Sequence, residues 1–373
     1  MSLAIAGCGW VTPLGSGIDE VWATLLAGNE ANAETIADSS GNRRYPVFAV
    51  PPAATSALPP HARLRRSSAI SRFAVAAGLA AMENAKSKSY QVDPEKTALI
   101  LAVSNGGVVY TKRFYHDIMQ TGAQAASPLL FPETVFNAPA SHLAAMLGLT
   151  GATYTVVGDA AVGVGAIQMA ADLMASEAID HCLVVGAEEK DWLLCDAYRR
   201  WRLTRSAPPI ELFYRPPRGT ILSEGAGAIL LAREGAVRIA NIHAGHVFRR
   251  RSEIPAKLRN VFDALGAKGR DAFVLSANGS FVDLAEFEAL QHLDAISHRY
   301  TFKPALGESA GSAAIWQVIT GAQMLLQKQM PPILHTQANL IVPESHEAGF
   351  YSDRVIVSVV GLNQQLAGLS LSI

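Results

Sequence analysis

Cysteine is nearly missing from this chain: Cys8, Cys182 and Cys195 are the only three among 373 residues. Three thiols cannot all pair with one another, and positions this scattered point to neither a disulfide framework nor a metal site. Neither sign of charge is in excess, with 31 Lys and Arg against 32 Asp and Glu. That balance gives no basis for general binding to nucleic acid or to a membrane surface. Apolar runs of the roughly 20 residues needed to span a bilayer are absent as well. The opening, MSLAIAGCGWVTPLG, has no charged segment ahead of its apolar run and reaches Gly9 and Pro13 too early for a secretory signal. The expectation is a soluble cytoplasmic protein with no metal, no cofactor, no nucleic-acid partner and no membrane partner.

What the chain does have is apolar mass in a regular order. Half of its residues are hydrophobic, enough for one large domain or two fused halves. Leu3 to Gly7 reads as a buried strand. Ile18, Val21, Trp22, Leu25 and Leu26 then recur at helical spacing, with Gly28 as the stop. Residues 30 to 60 are rich in Ala, Pro and Ser and include Pro51-Pro52 and Pro59-Pro60, which predicts a long surface excursion. Ile70 to Ala85 has the composition of a helix, and Thr97 to Val103 is a continuous apolar run closed by the turn Ser104-Asn105-Gly106-Gly107. Strands alternating with helices predict a parallel or mixed sheet covered on both faces.

The most informative stretch is YTVVGDAAVGVGAIQMAADLM, Tyr154 to Met174: a short β-branched strand, a tight turn, and a helix opening on small residues. The turn Gly158-Asp159-Ala160-Ala161 displays one side chain at a helix N-terminus, where unpaired N–H groups and the helix dipole favour an anion. A nucleophile there would be activated, but Ala160 occupies the tip and has nothing to ionise.

With Thr155, Gly163, Ala166 and Ile167 in place, this stretch resembles the cysteine elbow of the β-ketoacyl-acyl carrier protein synthases. AIAGCGWVTPLGSGIDEVWATLLAGNEA is similar to that family's opening. Ser127 to Gly151 is similar to the segment before the elbow, Gly186-Ala187-Glu188-Glu189 to the end of the next strand, and Arg215 to Glu234 to a Gly-Glu-Gly-Ala-rich turn and closing strand. The resemblance implies a thiolase-like α/β fold of five layers, αβαβα, in two pseudo-twofold related halves, here expected as 1–234 and 235–373. No repeat is visible in the sequence itself.

The same resemblance places the family's catalytic cysteine on Ala160. Its first histidine, from a His-Gly-Thr-Gly-Thr turn, falls on Asn278 after the apolar strand Asp271 to Ala277. Its lysine falls on Lys303 and its second histidine, after Gly307, on Glu308. Asp159 lies beside the elbow tip, and Ser309 to Leu326 keeps the small-residue start of the helix that follows. In the closing strands, Val355 to Val360 and Gly361 to Leu369, Gly361 fits the glycine-rich gate, whereas Val360 replaces the gating phenylalanine and Asn363-Gln364 the glycine pair.

A condensing synthase needs a thiolate for the acyl chain and two imidazoles for decarboxylation and oxyanion stabilisation. Ala160 cannot carry an acyl group, Asn278 donates a hydrogen bond but does not titrate near neutrality, and an ionised Glu308 repels a malonyl carboxylate or an enolate. No catalytic residue is assigned on this reading.

Other polar residues have two readings each. His142 is expected to be a hydrogen-bonded structural residue, Cys195 an inert thiol, and Glu224 an acceptor of backbone N–H groups. Arg65, Arg66, Arg72 and the run Arg249-Arg250-Arg251 either meet an acidic carrier protein or are solvated.

Three functions remain. The leading one is a ketosynthase-like pseudoenzyme of the chain-length-factor type, partnering an active ketosynthase as a heterodimer in fatty acid or polyketide (aryl-polyene-like) biosynthesis, with acyl carrier protein as a second partner. The others are an acyl-thioester enzyme built on Asp159, Asn278, Lys303 and Glu308, or a carrier-protein or lipid-binding scaffold. A homodimer is the alternative assembly.

Overall fold

The computed structural model describes residues 3–293, 298–336 and 350–373. Among the described residues the main sheet has eleven strands, of which the two-residue Gly15–Ser16 pairs beside the first and ten lie on one path: β1 (Ala4–Thr12), β2 (Thr97–Val103), β3 (Thr153–Val157), β4 (His181–Glu188) and β5 (Gly225–Ala232), then β6 (Val237–Val247), β7 (Ala272–Val274), β8 (His298–Tyr300), β9 (Arg354–Val360) and β10 (Gln365–Ser372). The first five lie in the order β3-β2-β4-β5-β1 and the second five in the order β8-β7-β9-β10-β6.

Both leaves therefore carry the same topology. In each, the three strands farthest from the junction run parallel and the two nearest it are antiparallel. The leaves join where β1 meets β6, Ala4 opposite Arg238 and Ile5 opposite Val237. A repeat without sequence similarity is what a shared apolar pattern produces when different side chains fill the same layers.

The helices are α1 (Ile18–Leu26), α2 (Ala69–Ser87), α3 (Val108–Thr121), α4 (Ala138–Leu147), α5 (Val162–Met174), α6 (Trp192–Arg200), α7 (Ile254–Ala264), α8 (Phe281–Leu290), the single turn α9 (Lys303–Leu306) and α10 (Ala310–Gln327). Helices α5 and α10 pack on each other and on strands of both leaves, α5 on β2 and β6, α10 on β5 and β9. They form the central layer, filled by one continuous apolar cluster that includes Ala160, Ile167, Ile315 and Trp316. Helices α2 and α4 cover the outer face of the first leaf, and α7 and α8 that of the second. The result is the five-layer αβαβα arrangement.

The close approach of α2 to β1 depends on glycine. A Cβ at Gly9 would fall 2.6 Å from the Ala81 backbone nitrogen and 2.8 Å from the Ala80 Cβ, so α2 would have to lift from the sheet. Gly9→Ala is expected to cost about 1–3 kcal/mol as an overpacking defect, measurable as a lower urea midpoint at unchanged slope.

Three expectations need correction. The excursion over residues 30–60 contains an antiparallel hairpin, Ala33–Ala37 with Arg44–Phe48, whose second strand pairs with Leu222–Ser223. Tyr45, Val47 and Phe48 are buried there, because the alternation in Arg44-Tyr45-Pro46-Val47-Phe48 supplies an apolar face that the prolines obscure. The second closing strand also starts later than Gly361: residues 361–364 form the turn between β9 and β10. Asp271 to Ala277 contributes only the three-residue strand β7.

Candidate functional site

The elbow forms where β3 ends and α5 begins. Among the described residues strand β3 is the outer edge of the first leaf, paired only with β2, and the turn is held by the Gly158 N–H on Val103 O at 3.1 Å and the Val162 N–H on Asp159 O at 2.8 Å. Ala160 is 3% exposed and packs into the central apolar cluster. Its backbone N–H donates to Asp159 Oδ1 at 2.9 Å. The anion that a helix N-terminus favours is thus supplied by the chain itself.

The other carboxylate oxygen of Asp159 ties the elbow to the turn between β9 and β10. Asp159 Oδ2 accepts the backbone N–H groups of Asn363 (2.9 Å), Gln364 (3.0 Å) and Gln365 (3.4 Å). In return, the Asp159 N–H donates to the Gln365 side-chain oxygen at 2.9 Å. Gly361 leaves the room for this, since a Cβ there would overlap the Asp159 carboxylate.

Asn278, Lys303 and Glu308 come together in a second network. Glu308 Oε1 accepts from Lys303 Nζ and Oε2 from Asn278 Nδ2, both at 2.6 Å. Asn278 Oδ1 accepts from the Ser280 N–H and hydroxyl. The three side chains are 0–2% exposed, so Lys303 and Glu308 make a buried, mutually neutralising ion pair. The backbone is fixed too: the Glu308 N–H donates to Ile221 O, the Ser223 N–H to Glu308 O, and Asp283 accepts the N–H groups of Asn278, Gly279 and Phe213. Burial raises the Asp283 carboxyl to about 6 against those hydrogen bonds.

Of the five residues singled out in the sequence, the structure joins three directly and puts Asp159 and Ala160 on the elbow network. Tyr198, on α6, stands between the two networks. Its phenol is raised first by burial and then by the charges of Asp159, Glu188 and Glu308. It lines two cavities. One, of about 680 Å³, is bounded by Asp159, Trp201, Phe248, Arg249, Arg251 and residues 362–365. The other, of about 20 Å³, is bounded by Glu188, Ser223 and Glu308 and has room for about one water.

Glu188 and Tyr198 were not singled out from the sequence; the acidic pair ending the apolar run of β4 was the available signal. Glu188 caps α10 by accepting the Gly311 N–H at 3.2 Å, and burial pushes its carboxyl up to about 8.

The remaining polar residues have ordinary roles. His142 bonds to Glu133 Oε1 at 2.5 Å. The Cys195 thiol is buried and pushed up to about 12, so it is held as the unreactive thiol. Glu224 does accept backbone N–H groups, but from the distant Val50 and Lys190 instead of its own turn. Among the described residues no cluster of three His, Cys, Asp or Glu is arranged to hold a metal ion, and no helix is long and apolar enough to cross a membrane.

Beside the elbow, the free edge of β3 exposes Tyr154 (40%) and Val157 (50%). Helix α3 has no buried residue, and Met119, Leu129, Phe131 and Phe136 are exposed on the same connection.

Two leaves of identical topology around a central helix pair define the thiolase-like class of α/β proteins. Residues 2–236 match the family model described as the N-terminal domain of beta-ketoacyl synthase, and the chain belongs to that family. It is 22% identical over 237 residues to the 3-oxoacyl-[acyl-carrier-protein] synthase 2 of Vibrio cholerae, a match that spans 61% of this chain and 57% of that protein. Two solved structures share the fold at a TM-score of 0.85: a beta-ketoacyl synthase from Burkholderia phymatum, 17% identical, covering 100% of this chain and 99% of its own, and the ishigamide ketosynthase/chain length factor, 19% identical, covering 100% and 98%.

Proposed function

We propose that this chain is a non-condensing ketosynthase-like subunit, of the chain-length-factor type, that pairs with an active β-ketoacyl-acyl carrier protein synthase in fatty acid or polyketide synthesis. In this reading residues 1–234 and 235–373 are the two halves, and Ala160, Asn278 and Glu308 stand at the family's Cys-His-His positions. The observation that carries it is the state of those positions together. The elbow tip offers a methyl group, Glu308 is paired with Lys303, and Asn278 is hydrogen-bonded to Glu308 and Ser280, all sealed from solvent. Lys303 and Asn278 each direct a donor to the Glu308 carboxylate, which would repel an oxyanion brought to the same place. The one-water cavity beside them leaves no space for a thioester, which speaks against a re-equipped enzyme at this network.

Two surfaces support the partners. The unpaired edge of β3, with its exposed apolar neighbours, is the kind of edge that proteins cover; a second ketosynthase-fold subunit would cover it and lie next to the elbow. The named synthase relative acts with acyl carrier protein and the ishigamide structure pairs a ketosynthase with a chain length factor, so both partners are in keeping with the family. Arg249 and Arg251 at the wider cavity would face the acidic carrier protein.

The test is coexpression with a ketosynthase that retains its cysteine and both histidines, followed by native mass determination and by mass analysis of carrier-protein thioesters. A one-to-one complex is expected. The chain alone should be inert, and product should appear or change length only when the partner is present. Val157→Arg should weaken the complex at least about 100-fold by placing a charge on the buried edge. A solitary homodimer that ignores the partner, or turnover of thioesters by the chain alone, would sink the proposal.

A further inference from the structure

A third cavity, of about 350 Å³, lies between the hairpin strand Arg44–Phe48, helix α6 and the segment 204–218. It shares no lining residue with the wider cavity at the elbow. Four guanidinium side chains line it, Arg44, Arg199, Arg205 and Arg218, with the hydroxyls of Thr204 and Ser206, and no carboxylate does.

The charges are only partly compensated. Glu211 binds two of the four, Arg205 Nη2 at 2.9 Å and Arg218 Nη1 at 2.5 Å. Asp196, behind the wall, is occupied by Arg43, Arg200 and the Tyr45 hydroxyl. Among the described residues, Arg44 and Arg199 are in no ion pair. Four cations against one bound carboxylate leave three positive charges around one concavity.

A second observation separates this from a solvated basic surface. Arg205 is held by two contacts, Nε donating to Ala207 O at 2.5 Å and Nη2 to Glu211, and its side chain is only 14% exposed. Its remaining nitrogen, Nη1, is buried and has no partner among the described residues. A buried guanidinium N–H without an acceptor is costly, and a ligand oxygen would relieve it. Arg218 is likewise preset, its guanidinium 3.9 Å from the centre of the Tyr214 ring, so little side-chain entropy remains to be lost on binding.

We propose that this cavity binds a small molecule carrying a phosphomonoester or diphosphate group. A dianion with three acceptor oxygens suits several converging guanidiniums better than a single carboxylate does. The volume exceeds that of the phosphoryl group alone and falls within the usual range for small-ligand sites, and Tyr45, Pro46 and Leu222 supply a less polar wall for the organic part. The inference is independent of the proposed subunit role.

The test is calorimetric titration of the full chain with pyrophosphate and, separately, with dimethyl phosphate, at low ionic strength. Saturable one-to-one binding of pyrophosphate is expected, with dimethyl phosphate binding at least about tenfold more weakly. Arg44→Gln with Arg199→Gln, both exposed and unpaired positions that folding does not need, should weaken pyrophosphate binding by at least about tenfold, since each removes a charge-assisted contact. Lys86→Gln, which removes an exposed charge on α2 that does not line the cavity, should leave it unchanged. No saturation up to roughly 10 mM pyrophosphate, equal affinity in the double variant, or a preference for dimethyl phosphate would overturn the proposal.

Discussion

Lys303→Met should destabilise the protein by about 3–5 kcal/mol at pH 7, because it strands the Glu308 carboxylate in a site only 2% exposed. The ion pair itself is not expected to be worth that much, since both charges were desolvated to form it. Lys303→Met combined with Glu308→Gln separates the two effects: a neutral amide oxygen still accepts from Asn278 Nδ2, now bonded to Glu308 at 2.6 Å, and no charge is left unpaired. The double variant should therefore recover most of the loss. Urea unfolding at constant slope measures both. A single variant that costs less than about 1 kcal/mol would mean that water reaches Glu308, and the sealed site behind the proposed function would fail with it.

On the proposed reading of Ala160, Asn278 and Glu308, the two networks explain how a ketosynthase fold would persist without the residues of condensation. An elbow built for an ionised nucleophile has a dipole and free N–H groups to satisfy. Here Asp159 accepts one of them, the Ala160 N–H, from one residue upstream and uses its second oxygen to hold the turn between β9 and β10. In the second network Lys303 neutralises the Glu308 carboxylate. Each of these buried charges would be costly alone, and each is matched by a partner within hydrogen-bonding distance.

Much of the fold was legible because its signals are local. The apolar runs at β2 and β4, the small-residue openings of α5 and α10, and the order of strand and helix all follow from periodicity and turn residues. The role proposed for position 160 rests on resemblance alone, since alanine carries no chemical signal of its own. What could not be read was long-range. Nothing in residues 363–365 announces that their N–H groups converge on Asp159, some 204–206 positions away. The hairpin in residues 30–60 was hidden because proline density outweighed a five-residue alternation. The arginine-lined cavity draws on residues from 44 to 222, and only folding brings them together.

Glu286→Gln should flatten the dependence of stability on pH between about 5 and 8. Glu286 lies on α8 in the core of the second leaf, where its Oε1 accepts the Ser276 N–H at 3.0 Å and the Ser358 hydroxyl at 2.5 Å, while Oε2 has no partner among the described residues. Burial, which dominates, and the neighbouring Asp283 charge push its carboxyl up from 4.5 to about 8, against those two hydrogen bonds. In the unfolded chain the group loses its proton near 4.5, whereas the folded protein holds it until about 8. The folded state thus binds more protons across that window. The contribution of this group is fully present below 4.5 and is lost as pH rises through 8, at roughly 1–2 kcal/mol per pH unit at most. Glutamine reproduces the neutral acid at every pH and keeps an oxygen for both serine donors, so the variant should match the parent near pH 5 and exceed it increasingly towards pH 8. Glu188, Glu189 and Asp283, raised by burial to about 8, 7 and 6, act with the same sign and leave a residual slope in the variant. Thermal unfolding at half-unit pH steps provides the comparison, and parallel curves for parent and variant would show that Glu286 ionises in the folded protein as it does in the unfolded chain.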